Sequence, residues 1–268
     1  MMKKQDYVFI GILSVLAVFI WMRDTTWIST ADDTLPILIA IPLFVWFGMP
    51  WKFRNHFVPI SRSWIIISAL LFLSGIALNI TLLLALGWTL LLWGWLSNRL
   101  ESEQLDSRMK LMILPLMAFP WVTLDAVTLG WWFRISGAWV TAHLVAFSGY
   151  QVLLEGTILV VDQIPINVEA ACSGLNNLQS MLIAGSVVAY MYLSNTNRYW
   201  WNLPLIILMA WIANTTRIIM ITYSALKISP EFAMGAFHTW GGWLVLFLMF
   251  SLCWFIFSLQ EKQENEEL

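Results

Sequence analysis

Charge is what this sequence has least of. Its 268 residues include only 14 Lys and Arg and 16 Asp and Glu, against 60% hydrophobic residues, and the mean hydropathy is +0.75. That balance excludes an ordinary soluble composition and points to a polytopic membrane protein. A formal net charge of −2 sets up no strong long-range field, which argues against nucleic acid or any strongly acidic or basic partner. Cysteine is scarce as well. Cys172 and Cys253 allow one disulfide at most, so no disulfide framework holds the fold. Three histidines, none in an H-E-x-x-H arrangement, exclude the signature of an intramembrane zinc protease, and neither G-x-S-x-G nor G-x-x-x-x-G-K-[ST] occurs. No metal or cofactor is expected, and no internal repeat is present.

What the chain does have is long apolar runs and 18 tryptophans, a residue that concentrates at membrane interfaces. A span needs about 20 mainly apolar residues. The runs at 7–22, 35–49, 64–79, 80–96, 110–128, 175–193, 200–224 and 237–259 qualify as spans or near-spans. The third and fourth come from one uncharged run, divided at Asn79, with one very long helix as the alternative. The first is read as an uncleaved span, because no small-residue cleavage site follows it. Residues 138–154 carry Thr141, His143, Ser148, Gly149 and Gln151 and read as a helix lying in the membrane interface. Residues 163–169 alternate apolar and polar side chains, a strand signature.

The expected fold is therefore an all-α polytopic membrane protein of about eight transmembrane helices, with an interfacial helix and a short strand-like segment. It forms one integral membrane domain over 1–268: five spans in 1–129, an interfacial segment in 130–173, three spans in 174–259 and a tail in 260–268. With eight spans, Lys3, Lys4, Lys52, Arg54, Arg62, Arg99, Arg108, Lys110, Arg198 and Lys262 fall inside, and Arg23, Arg134, Arg217 and Lys227 outside, which makes both termini cytoplasmic. A ninth span at 138–154 would flip everything after it with little change in that count. Under either threading Cys172, Arg217 and His238 face the same side, since two crossings separate the first two and a short turn separates the second from the third.

Each of these residues has an ordinary reading. A cysteine in a membrane protein is usually a small apolar residue, and Cys253, among Phe, Leu and Trp, fits that. It starts from the opposite membrane face to Cys172, roughly 20 Å away at 1.5 Å per residue, so the two do not bridge. Cys172 stands instead between a strand-like approach and a helix start, where the helix dipole and unpaired amides favour thiolate. Ser173 and Gly174 follow it, and glycine there admits close approach of a backbone or substrate. Arg217 lies in an apolar span, where an arginine costs several kcal/mol unless paired or solvated; snorkelling to the headgroups is its ordinary explanation. Asn214, one turn earlier on the same face, is placed to hold the guanidinium. His238 opens the last span. A nucleophile, a proton shuttle and a cation on one membrane face suit acyl transfer on a peptide bond. Asp125, near the end of its span, is a further candidate, either paired with Arg134 or Arg217 or lining a substrate groove. His56 and His143 have no partner in the pattern.

The stretches "VEAACSGL" at 168–175, "NTTR" at 214–217 and "FHTWGG" at 237–242 together resemble the exosortase/archaeosortase family of polytopic membrane enzymes. The resemblance is carried by 138–259, the earlier spans matching only as generic hydrophobic helices. It implies Cys172 as nucleophile, Arg217 as transition-state or substrate-binding residue and His238 as acid/base; Asn214, Ser173, Gly174 and Asp125 stay, on the reading of the residues alone, as supporting or substrate-binding candidates. It further implies a cysteine transpeptidase or endopeptidase of the cell membrane with an extracytoplasmic active site. Its substrates would be exported proteins ending in a sorting signal (a short Pro-Glu-Pro-like motif, a transmembrane helix and a basic tail). The acceptor would be a surface glycan or lipid. The alternative class is a non-catalytic transporter or envelope assembly protein, in which Arg217 and Asp125 contact solute.

Overall fold

Apolar runs with no polar face fold as helices that keep large side chains outward, and the first half of this chain does so. The computed structural model describes residues 4–28, 31–54, 60–167 and 174–267. They form two compact units, Met1–Asp125 with Ser194–Thr196, and Ala126–Leu193 with Asn197–Leu268.

The first unit holds α1 (Lys4–Arg23), α2 (Ala31–Gly48), α3 (Arg62–Leu78), α4 (Thr81–Ser97), α5 (Ser102–Lys110), α6 (Ile113–Met117) and α7 (Trp121–Asp125). Val15 on α1 and Trp46 on α2 are each 70% exposed, as lipid-facing side chains would be. The uncharged run over 64–96 breaks where the residue pattern divides it. Asn79 adopts a left-handed conformation (φ 58°), and its N–H donates to the Gly75 carbonyl. The Ile80 N–H donates to that carbonyl too. Asparagine tolerates this region where bulkier residues do not. The helices α3 and α4 then pack so closely that a Cβ on Gly94 would lie 2.9 Å from the Trp64 Cβ.

Polar groups in this unit collect at its two ends. The Arg99 guanidinium pairs with Asp6, which is 4% exposed, tying the end of α4 to the start of α1. The Arg54 N–H donates to the Arg99 carbonyl and the Glu101 N–H to the Lys52 carbonyl, and Arg108 donates to the Pro50 carbonyl. Lys110, fully buried, donates to Asp106 and to the Ser194 carbonyl at 2.6 and 2.7 Å. Lys52, Arg54, Arg99 and Arg108 thus share one end, as the positive-inside count groups them. Arg23, counted to the other face, donates at the opposite end to Asn79 and to the Gly75 carbonyl.

The expected fifth span, 110–128, is not one helix. It is divided among the end of α5, then α6 and α7, then the start of the next unit's first helix. Pro115 and Pro120 supply no N–H to the helical ladder, and the apolar composition that suggested a crossing carries no trace of that interruption.

The second unit holds α8 (Val127–Phe147), β1 (Val152–Glu155), β2 (Ile158–Val161), β3 (Ile164–Asn167), α9 (Leu175–Leu193), α10 (Arg198–Lys227), α11 (Pro230–Met234) and α12 (Ala236–Glu267). The expected interfacial helix over 138–154 is corrected: 138–147 is the second half of α8, and 152–154 is strand. Gly149, at φ +93°, ends the helix where a side chain would be strained. Within the strand expected at 163–169, Ile164–Asn167 forms β3, while 168 and 169 lie outside the described residues, and two strands that the pattern had not disclosed join it. The three form an antiparallel sheet in the order β1-β2-β3. The expected tail from 260 continues α12 as helix.

Helix directions follow from side-chain bonds. Trp211 Nε1 donates to Ser136 Oγ, and the Tyr223 and Ser148 hydroxyls pair. Both pairs are 75 residues apart, so α8 and α10 run parallel. Asn202 and Gln260 exchange amide hydrogen bonds at 2.8 and 3.1 Å, while Arg217 lies against Gly242, so α10 and α12 are antiparallel. The sheet docks Leu159, Val161 and Ile166 against Ala138, Ala142 and Val145 of α8, Ile218, Ile221 and Ala225 of α10, and Ala233 of α11.

Among the described residues three helical stretches are long and apolar enough to cross a bilayer: Asp6–Arg23, Arg198–Lys227 and Trp240–Gln263. Thr34–Gly48, Arg62–Leu78 and Thr81–Ser97 are shorter apolar helices. The chain is a mostly helical membrane protein, with one small sheet among the described residues.

Gly94→Ala is expected to force α3 and α4 apart at Trp64 and to destabilise by about 1–3 kcal/mol, the usual cost of overpacking. A lowered thermal unfolding midpoint in detergent would register it; an unchanged midpoint would mean the helix pair is loosely packed.

Candidate functional site

The site builds up around α10. Its thirty residues present different faces to α8, α9 and α12, and among the described residues Gly174, Asn214 and Arg217 lie on or beside those faces. Asn214 is fully buried. Gly174, also buried, lies directly on it: a Cβ there would stand 2.6 Å from Asn214 Cγ. Gly174 has φ +76°, the left-handed region, and its carbonyl accepts from the Leu178 N–H at 2.8 Å as the first bond of α9. The residue that starts α9 therefore needs glycine twice, for its backbone angle and for its neighbour.

One turn along α10 comes Arg217, half-buried. A Cβ on Gly242 would lie 3.1 Å from Arg217 Nε and 3.3 Å from Cζ, so the guanidinium rests on the glycine surface of α12. Gly242 is one turn after His238, which belongs to the first turn of α12. The structure thus brings together the segment that follows Cys172, the Asn214–Arg217 turn and the start of α12. Cys172 and Ser173 themselves, and the side chain of His238, lie outside the described residues. Before α12 comes α11, capped by Ser229, whose hydroxyl accepts from the Phe232 N–H at 3.1 Å. Within that turn, hydrogen bonds from its own backbone N–H and then from Ser229 hold the exposed Glu231 carboxyl below its ordinary range.

The remaining candidates fall elsewhere. Asp125 accepts a hydrogen bond from the Leu82 N–H, where it serves the first turn of α4 in the first unit. Cys253 is a buried free thiol, in keeping with a packing residue. His143 Nδ1 bonds the Trp139 carbonyl of its own helix at 2.8 Å. Among the described residues no group of three His, Cys, Asp or Glu side chains converges as a metal site requires.

In the sequence Arg134 reads as an outside charge and a possible partner of Asp125. Arg134 lies on the stripe of α8 formed by Gly130, Gly137, Ala138 and Thr141, all buried. Its Nε is buried with no hydrogen-bond partner among the described residues. Gly137, the next turn, meets Thr215 and Ile218 of α10, so Arg134 belongs to the helix layer that carries Asn214. The available signal was an arginine inside the apolar run "LGWWFRISGAW".

A family model described as transmembrane exosortase (Exosortase_EpsH) matches residues 3–255. No curated protein and no solved structure matches the chain.

Gly174→Ala is expected to strain the backbone by about 1–2 kcal/mol and to collide with Asn214 besides. Adding Asn214→Gly should recover the collision and leave the strain. Thermal unfolding of the single and double variants in detergent checks the split, and full recovery in the double variant would contradict the left-handed backbone.

Proposed function

This chain belongs to the transmembrane exosortase family, and from that premise we propose that it is a membrane cysteine transpeptidase or endopeptidase acting on C-terminal sorting signals of exported proteins. The observation that carries the residue assignment is the pair of close approaches on α10, Gly174 on Asn214 and Arg217 on Gly242. Together they join the three motifs on adjacent turns of one helix layer.

In this reading the Cys172 thiolate attacks the carbonyl carbon of the scissile peptide. The negative charge developing on the carbonyl oxygen is met by Arg217, a charge-assisted donor in a poorly solvated setting. The N-termini of α9 and α12 point the same way, since both helices run antiparallel to α10, and their dipoles favour thiolate and oxyanion alike. The C–N bond then breaks, and His238 gives its proton to the leaving amine, which leaves a thioester on Cys172. An incoming amine loses its proton to His238 and displaces the thiolate, forming a new amide; water in the same place yields a carboxylate. Asn214 and Gly174 position the two ends of this machinery, and Ser173 flanks the nucleophile. Arg217 also suits the carboxylate of a substrate motif. The site is assigned to the extracytoplasmic face and both termini to the cytoplasm. The grouping of Lys52, Arg54, Arg99 and Arg108 at the end of the first unit where α1 begins supports a cytoplasmic N-terminus. Substrates are then exported proteins bearing a short motif, a membrane helix and a basic tail, and the acceptor is a surface glycan or lipid.

The rival reading, a transporter or assembly protein, is separated by thiol chemistry. Cys172→Ala and Cys172→Ser are expected to lower processing of a tagged substrate at least about a thousandfold, a loss typical of nucleophile removal, with the protein still in the membrane. Arg217→Lys keeps the charge but not the planar fork, and should cost about 10²–10³-fold, the scale of losing one oxyanion donor. A membrane-impermeant maleimide should label Cys172 from outside and leave Cys253 untouched. Unimpaired processing by the Cys172 variants would end the proposal.

A further inference from the structure

Among the described residues β1 and β3 are the two edge strands of the sheet in the second unit, and the hydrogen-bond phase shows which backbone groups the β3 edge offers. The Asp162 N–H donates to the Gln151 carbonyl at 3.0 Å, continuing the pairing in which Val160 faces Leu153 and Ile158 faces Glu155. Bonds alternate along an antiparallel ladder, so Leu159 and Val161 turn their backbone groups to β3, where they face Ile166 and Ile164. The link between β2 and β3 is a two-residue turn with positive φ at Asp162 and Gln163, the hairpin geometry that makes the flanking Val161–Ile164 pair hydrogen-bonded. Pro165 and Asn167 must then direct their backbone groups away from β2. Proline there removes no ladder bond, as its placement on an edge requires.

The open edge thus presents the Pro165 carbonyl and the Asn167 N–H and carbonyl, and among the described residues no further strand pairs with β3. Side chains tell the same story. On the face packed against the helices, Leu159, Val161 and Ile166 are buried, yet Ile164 is 38% exposed on that same face, as expected where the next strand of a sheet is missing. On the other face Ile158 is 39% exposed. The sheet is held rigidly by its core against α8 and α10. Asn167 precedes Cys172 by five residues, a reach of at most about 17 Å, and α9 begins on the far side of that cysteine.

We propose that the open edge of β3 is the docking strand for the substrate. The extended segment next to the scissile bond adds to the sheet as a fourth strand, bonding the Pro165 carbonyl and the Asn167 N–H and carbonyl and covering Ile164. The inference rests on the cysteine peptidase reading, because continuity of β3 with the proposed nucleophile identifies the occupant. Main-chain pairing at a sheet edge supplies affinity with little demand on side chains, and pockets at alternate positions supply selectivity. It also holds the scissile carbonyl in the extended form that a nucleophile can reach.

Asn167→Pro deletes the outward N–H and spares the bonds to β2, which come from Ile164 and Ile166. Processing of a tagged substrate should fall at least tenfold, with the rate of Cys172 alkylation and the membrane level of the protein within twofold of the parent. Processing at the parental rate would overturn the proposal. If the substitution also disturbs alkylation, a disulfide scan decides alone. Pro165→Cys, in a Cys172→Ala background, is paired with substrates carrying one cysteine at successive positions around the cleavage site. Cross-linking at every second position is the expected result, and a flat or absent pattern overturns docking. Processing that survives Cys172→Ala would instead refute the nucleophile, so the two failures are told apart.

Discussion

The contact between Gly174 and Asn214 is what the rest of the second unit depends on. A helix start must find partners for its first amides and must be fixed in height against its neighbours. Here the fixing is steric: the glycine lies so close to a fully buried asparagine that no larger residue fits. The start of α9 is thereby locked to one turn of α10. Arg217 follows one turn later and is flanked by the glycine surface of α12. Two glycines, on two different helices, set the spacing of three motifs far apart in the chain.

The long α10 makes this possible. At 1.5 Å per residue it is about 45 Å long, longer than a hydrocarbon core of about 30 Å. Its first half packs with α9 and α12 through Gly185 on Ile206 and the Asn202–Gln260 amide pair. Its second half carries Ile218, Ile221 and Ala225 into the core beneath the sheet. Asn214 and Arg217 stand between the two, where apolar helix packing gives way to a covered strand layer. A cation there is shielded from bulk water and close to the surface, which strengthens its interaction with any developing negative charge.

Much of this was legible in the residues. The hydropathy made the chain a membrane protein, Asn79 marked the break between α3 and α4, and alternation at 163–169 announced β3. Asn214 and Arg217 stood out as polar residues one turn apart in an apolar run. The misreadings share a cause. Composition measures how well a segment dissolves in lipid and is blind to the hydrogen-bond ladder, so 110–128 read as a crossing although Pro115 and Pro120 interrupt it. The run at 138–154 read as one interfacial helix because its polar residues are scattered through an apolar stretch, while Gly149 divides it into helix and strand. Arg134 read as an outside charge or a partner of Asp125, since a charge tally records sign and sidedness and ignores which stripe of a helix a residue occupies.

By itself the sequence determined which side chains carry chemistry, which segments prefer lipid and which face of each helix or strand is apolar, because periodicity and side-chain type are local properties. Only the tertiary structure decided that Gly174 meets Asn214, that Arg217 lies on Gly242, and that β3 stands at an open edge with Pro165 and Asn167 turned outward. A helix or strand pattern specifies that a face must be covered. What covers it depends on which shapes can approach closely, and that is settled when the glycines, the turn and the packed core come together.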